Sequence, residues 1–160
     1  AAATYPFGAH VAVVEIDTET GEVHLVEHTG VDDCGNVINP MLVKGQQHGG
    51  IAQGVGQALY EHARFDDLGN PMTANLVTYF VPAGPDLPSF RTMSHVTPTP
   101  HNPLGAKGVG EAGTLGSTPA IHSAVMDALR PFGVRHVDLP LRPERLWRAM
   151  HGHPIARTRP

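Results

Sequence analysis

Apolar and polar residues alternate along His10–Ile16, which carries Val11, Val13, Val14 and Ile16, and strand-forming residues resume along Glu22–Val31. With Asp17-Thr18-Glu19-Thr20-Gly21 supplying turn chemistry between them, the pattern predicts an N-terminal β-hairpin. Asp32-Asp33-Cys34-Gly35-Asn36 is expected to break the second arm. The periodicity then changes: Ile51, Val55 and Leu59 recur every fourth residue, which predicts a helix over Met41 to about Glu61. Asn39 suits its cap and Pro40 its first turn. Gly45, Gly49, Gly50, Gly54 and Gly56 interrupt this helix, each at a cost of up to about 1 kcal/mol relative to Ala. Their expected use is close packing against another element or a ligand, with a bend at Gly49–Gly50.

Further along, Ala74–Val81 reads as a strand around Leu76, Val77, Tyr79, Phe80 and Val81, and Phe90–Val96 as another extended segment. A second helix is expected with Ser117 or Thr118 as cap, Pro119 in the first turn and Ile121, Ala124, Val125, Ala128 and Leu129 as its apolar stripe. Pro131 and Gly133 end it. Val134–Leu139 reads as a short strand and Pro143–Met150 as a final short helix, with a frayed tail from His151. Two main helices and several strands predict an α+β fold with a mixed sheet, residues 1–150 forming one domain and 151–160 a tail.

Composition narrows the function. A formal net charge of -4 offers no basic footprint, so no nucleic-acid partner is expected. No apolar run is long enough to span a membrane, and a cytoplasmic location is the expectation. A single cysteine, Cys34, excludes an internal disulfide framework and reads as a buried structural thiol. The 11 histidines are scattered and form no HExxH pair, so no protein-ligated metal is expected. Asp32 and Asp33 read as turn or capping groups.

Candidate chemistry gathers in Asn102-Pro103-Leu104-Gly105-Ala106-Lys107-Gly108-Val109-Gly110-Glu111-Ala112-Gly113, where glycines frame one carboxylate. Bare backbone lets a bulky ligand approach closely. A P-loop is excluded because Lys107 is followed by Gly108, not Ser or Thr. A dinucleotide fingerprint is excluded because the preceding Thr97–Pro103 is punctuated by prolines and cannot be a central strand. Glu111, flanked by Gly110 and Ala112, has little bulk around its carboxylate, and a Glu shielded from water suits a base working near neutral pH. Gln46, Gln53 and Gln57 fall on a roughly common helical face, and their amides could read a heterocycle edge.

Three segments, Asp33–Pro40, Gly45–Ala58 and Asn102–Glu111, resemble the molybdenum-binding subunit of the xanthine dehydrogenase, aldehyde oxidase and carbon monoxide dehydrogenase family. The likeness runs in order over almost the entire chain, includes Pro143-Glu144-Arg145-Leu146-Trp147, and is to the C-terminal portion of that much longer subunit. It implies a fragment of a molybdenum hydroxylase large-subunit domain. The implied cofactor is molybdenum-molybdopterin in its cytosine dinucleotide form, with the metal held by the pterin sulfurs. The implied reaction is oxidative hydroxylation of a small-molecule substrate, an aldehyde or N-heterocycle, with water-derived oxygen, or oxidation of carbon monoxide, with Glu111 as catalytic base.

By the same resemblance Gln46 hydrogen-bonds near the molybdenum centre. Gly49, Gly50, Gln53 and Gly54 match the surface on which pterin and nucleotide lie, and Lys107, Gly108, Val109 and Gly110 line the cofactor before the base. The implied partners are the remainder of the large subunit and subunits carrying 2Fe-2S clusters and FAD. Two other readings stay open: a non-catalytic docking or assembly fragment that needs the rest of the subunit, and a small binder whose glycine loops cradle a nucleotide.

Overall fold

The structure, a computed structural model, describes residues 4–154. Strands β1 (Phe7–Ile16), β2 (Val23–Asp33) and β3 (Phe90–Ser94) form one mixed sheet in the order β1-β2-β3. β1 and β2 are the antiparallel arms of the expected hairpin, running from Phe7↔Asp33 to Ile16↔Val23 with a bulge at Val13/Val14. Asp17 holds the turn by accepting from the Glu19 amide at 2.7 Å. Gly21 completes it at φ 78°, and a Cβ there would strike the backbone carbonyl of Pro143, so this glycine seats the C-terminal helix. β3 joins the far side of β2 in parallel, from His28↔Phe90 to Asp32↔Ser94.

Helices α1 (Pro40–Val55), α2 (Ala112–Ala128) and α3 (Pro143–Met150) lie against the inner face of the sheet. Ile51 and Val55 from α1, Ile121 and Val125 from α2, and Leu146 from α3 meet Val23 in a core from which solvent is excluded. The alternation predicted for β1 is the reason: Ala12, Val14 and Ile16 turn inward onto this core, while Val11 and Val13 turn out. The outer face stays open, with Phe7, Val11, Val13 and Met93 exposed.

Five expectations need correction. β2 continues through Asp32 and Asp33 instead of breaking there. α1 is unbroken at Gly49–Gly50; its irregularity is a π turn over Gly56–Tyr60. α2 starts at Ala112, with Glu111 as its N-cap residue and Pro119 in its interior. Ser117 and Thr118 do not cap because their hydroxyls are committed to α1, where Ser117 donates to the Ile51 carbonyl (3.4 Å) and Thr118 to the Gln57 side chain (3.0 Å). The two later strands also fail to form. In 74–81, Asn75 captures the amides of Val77 and Thr78 with its side chain (3.0 and 3.2 Å), making a turn that leaves Leu76 and Val77 exposed. In 134–139, the Val137 carbonyl accepts from the His122 ring (3.0 Å), and the Asp138 and Leu139 carbonyls accept from Arg145 (3.0 and 3.1 Å), which replaces a strand partner.

Candidate functional site

Glycine sets the approach of α1 to α2. A Cβ on Gly113 would lie 2.6 Å from the Gln47 carbonyl and 2.8 Å from the Ile51 amide, and one on Gly50 would lie 3.0 Å from the Gly113 Cα. One turn on, a Cβ on Gly54 would collide with the Ser117 hydroxyl. The helices run side by side in the same direction: Thr114 donates to the Gly50 carbonyl (3.0 Å) and Thr118 to the Gly54 carbonyl (3.4 Å). This seam brings the start of α2, and Glu111 with it, alongside the first half of α1.

The two glycine-rich segments meet at Gln46. Its Oε1 lies 3.8 Å from the position a Cβ would take on Gly110, the residue before Glu111. Around that contact the surface is bare: Gly45, Gly49 and Gly108 each face open space where a side chain would project. Gln46, Gln53 and Glu111 are exposed along this strip. Glu111 makes no side-chain bond to the helix it caps, so its carboxylate is not spent on the free amides of α2. Gln57, the last of the aligned glutamines, turns to Thr118 instead.

Other expected site residues serve inside the chain. Gly50 and Gly54 form the seam. Lys107 is directed inward: its ammonium pairs with Asp33 Oδ1 at 3.2 Å, almost wholly buried, and lies 4.8 Å from the centre of the Phe7 ring. Burial would raise the Asp33 pKa, but Thr97, the Gly35 amide and Lys107 stabilise the carboxylate and hold it at about 2. The Lys107 amide donates to the Cys34 carbonyl (2.7 Å), and the Asn36 amide donates to the Gly105 carbonyl (3.0 Å). The glycine loop is thereby tied to the end of β2. Cys34 is the expected buried thiol, and burial pushes its pKa up.

A polar network beneath the strip escaped the sequence reading. Asp32, buried, accepts from the His10 ring at 3.1 Å on Oδ1 and from Gln47 Nε2 at 2.9 Å on Oδ2. Gln47 gives its second amide hydrogen to the Met93 carbonyl (3.1 Å), and His10 Nδ1 lies 3.0 Å from His28 Nε2. Burial would raise the Asp32 pKa, but the bonds from His10 and Gln47 outweigh it and lower it. His28 is pushed down to about 4 by burial and by the neighbouring His10, against the pull of Asp32. A neutral His28 donates from Nε2 to His10, which donates in turn to Asp32. The Nδ1 of His28, without a partner, is then a bare lone pair, which costs less to bury than an unpaired N–H. The signal for this network lay in register. Gln47 sits four residues before Ile51 on the buried stripe of α1, and His10 shares the inward parity of Ala12 and Val14.

The α2 packing completes the arrangement, because a Cβ on Gly116 would run into the His10 ring. Above His10 and Asp32, a cavity of about 210 Å³ opens between Phe7 and Leu115, bordered by Ala112 next to Glu111.

A family model described as a molybdopterin cofactor-binding domain matches residues 1–88. The chain is 42% identical over 153 residues to the carbon monoxide dehydrogenase large chain of Hydrogenophaga pseudoflava, covering 96% of this chain and 19% of that one. It is 39% identical over 145 residues to the nicotine 6-hydroxylase large subunit of Paenarthrobacter nicotinovorans, covering 91% and 18%. The fold superposes on the crystal structure of the Cu,Mo-CO dehydrogenase in its carbon monoxide reduced state with a TM-score of 0.90 and 38% identity, covering 93% and 19%. The chain thus spans about a fifth of the length of the curated relatives it matches. Among the described residues no helix is long and apolar enough to cross a membrane. With more than half its length matched by the family model and its glycine-rich segments joined on one face, the chain belongs to the molybdopterin cofactor-binding domain family.

Proposed function

We propose that this chain is the part of a molybdenum hydroxylase large subunit that lays one wall of the cofactor site and supplies its base, Glu111. The observation that carries the reading is the meeting of Gln46 with Gly110, which places an amide beside the backbone that presents Glu111. The strip fits a molybdopterin group. A flat heterocycle needs bare backbone, which Gly45, Gly49 and Gly108 leave open, and an amide that can both donate and accept, which Gln46 and Gln53 offer. When bound, the molybdenum cofactor, in its cytosine dinucleotide form, supplies the two-electron oxidation chemistry.

The chain's own residues divide the remaining work. Gln46 orients the cofactor edge, and Gly49, Gln53, Gly108, Val109 and Gly110 form the surface under it. Gly50 and Gly54 act from behind by holding α1 against α2, and Lys107 by anchoring the loop through Asp33. Glu111 takes a proton on its carboxylate as substrate is oxidised, and the rest of the large subunit closes the site against water, which this exposed carboxylate needs. The substrate class, aldehyde, N-heterocycle or carbon monoxide, is set by walls outside this chain. Iron-sulfur and FAD subunits accept the electrons.

Replacing Glu111 with Gln in the assembled enzyme tests the role. The cofactor content should stay unchanged while turnover falls by about 10²–10⁴-fold. Full turnover in E111Q would remove Glu111 as the base.

A companion reading is favoured by the exposure of Leu76 and Val77 at 82% and 95%. Such side chains are covered in an assembled protein. On this reading the isolated chain docks to the remainder of the large subunit and retains no cofactor alone. Molybdenum and pterin analysis of the separately purified chain decides it.

A further inference from the structure

The opposite end of α1 carries a second cavity, with chemistry unlike that of the glycine strip. It measures about 140 Å³ and is lined by Tyr60, His62, Arg64, Thr73, Thr78, Phe80 and Arg142. At about 1.5 Å of rise per residue, Tyr60 lies roughly 20 Å along the helix from Gln46, so this cavity is separate from the candidate site.

All its polar lining groups are of donor type, two guanidinium groups, an imidazole and three hydroxyls, of which the Thr78 hydroxyl already donates to the Asn75 carbonyl (3.2 Å). None of the lining residues is acidic. Among the described residues no carboxylate comes within ion-pair distance of Arg64 or Arg142, whereas Arg91, Arg130 and Arg148 each have an acidic partner. The nearby acids are engaged elsewhere: Glu61 Oε2 accepts from the Tyr79 hydroxyl at 2.6 Å, Asp66 accepts from the Leu68 and Asn70 amides, and Glu144 pairs with Arg148.

The backbone that carries these donors is held in place. The Arg64 amide donates to Thr73 Oγ1 (2.9 Å), and the Met72 amide donates to the Arg64 carbonyl (2.8 Å), which pins one rim. On the other rim Arg142 is the N-cap residue of α3, next to Leu141, whose amide donates to the Ala58 carbonyl at 2.7 Å. Arg142 Nη1 reaches His62 Nδ1 at 3.4 Å, which makes Nδ1 the acceptor and leaves the His62 N–H on Nε2. Burial and then the positive charges of Arg142, Arg145 and Arg64 push the His62 pKa down.

We propose that this cavity is a binding site for a phosphate-class oxyanion, gripped by Arg64 and Arg142 and completed by the His62 N–H and the Thr73 hydroxyl. Paired guanidinium groups match the oxygens of phosphate in geometry as well as in charge. The volume equals about four or five waters at roughly 30 Å³ each, enough for one phosphoryl group and too small for a whole nucleotide. The anion is therefore free phosphate or the terminal phosphoryl of a larger molecule whose body lies outside.

The test is a titration of the full chain with inorganic phosphate at constant ionic strength, followed by the NMR signals of the His62 ring and by thermal unfolding. Saturable movement of the His62 signals and a rise in unfolding temperature are expected. R64Q and R142Q should each weaken binding at least tenfold while keeping the circular dichroism of the parent, since both side chains are exposed. Adenosine monophosphate separates the sources: binding as tight as phosphate supports a phosphoryl group carried by a larger molecule, and binding of inorganic phosphate alone supports the free ion. The proposal is overturned if phosphate gives no saturable change, if R64Q and R142Q bind like the parent, or if acetate matches phosphate. The last result would assign the cavity to a protein carboxylate.

Discussion

Gln46 and Gln47 are neighbours in sequence and lie on two very different surfaces. Gln47 spends both amide hydrogens inside the protein, on Asp32 and on the Met93 carbonyl. Gln46 stays exposed, beside Gly110 and over a strip where glycines face open space. Below α1, the Gln47 amide and the Asp32 carboxylate find partners within the chain; above it, amide, carboxylate and bare backbone are left waiting. The same residue types thus do opposite things on two faces of one helix. Substitutions on the buried side should change how firmly the chain folds. On the open side they should change what it holds.

The largest effect should come from the buried ion pair. Lys107→Met leaves the Asp33 carboxylate without its cation in a site closed to water, and should destabilise the chain by about 3–5 kcal/mol in denaturant unfolding. Adding Asp33→Asn should recover much of the loss. A cost below about 1 kcal/mol would dissolve the contrast between the two faces, because it would put Lys107 in an environment no more demanding than the surface.

Next comes the helix seam. Gly113→Ala forces a Cβ against the Gln47 carbonyl and the Ile51 amide, backbone atoms that cannot turn aside. A loss of about 1–3 kcal/mol is expected, read as a lower thermal midpoint.

The histidine network sharpens the comparison through pH. The folded-state pKa of His28, about 4, lies below its ordinary value of 6.5, so between these values the unfolded chain binds a proton that the folded chain refuses. Stability from this group is complete above pH 6.5 and drains away as the pH falls toward 4, by about 3 kcal/mol. His28→Leu should flatten the dependence in that window. A slope unchanged in the variant would mean that another group carries the proton.

The smallest effect has the opposite sign. Gly49→Ala adds a Cβ into open space within a helix and should stabilise the chain by about 0.5–1 kcal/mol. In the assembled enzyme the same methyl group should lower molybdenum and pterin content. Gain of stability with loss of cofactor is the signature of a surface shaped for a ligand.

How far the molecule could be read in advance follows this division. The hairpin and α1 were legible because alternation and fourfold spacing are local signals, and Asn39 and Pro40 mark where the helix starts. The start of α2 was misplaced because Ser117-Thr118-Pro119 has the chemistry of a cap, and only contact with α1 diverts those hydroxyls. Val77 passed for strand because apolar character alone does not say whether anything will cover it. On the candidate site, the nearness of Gln46 to the loop before Glu111 was expected from the family resemblance, while the inward course of Lys107 depends on a carboxylate far away in sequence. His10, His28 and Asp32 looked scattered because strand pairing, invisible in a linear reading, is what gathers them.

The seam between α1 and α2 also bears on how the protein forms. Its hydrogen bonds join residues 64 positions apart, whereas the hairpin closes over a short turn. Contacts this distant in sequence repay their chain entropy only when much of the structure between them is already ordered. The hairpin is therefore available early in folding. Gln46 and Gly110 meet only when the two helices dock, in the same event that buries Ile51 and Ile121 in one core. If the strip is the cofactor surface proposed above, a partly folded chain offers half of it at most, and loading of the cofactor would report on completed folding.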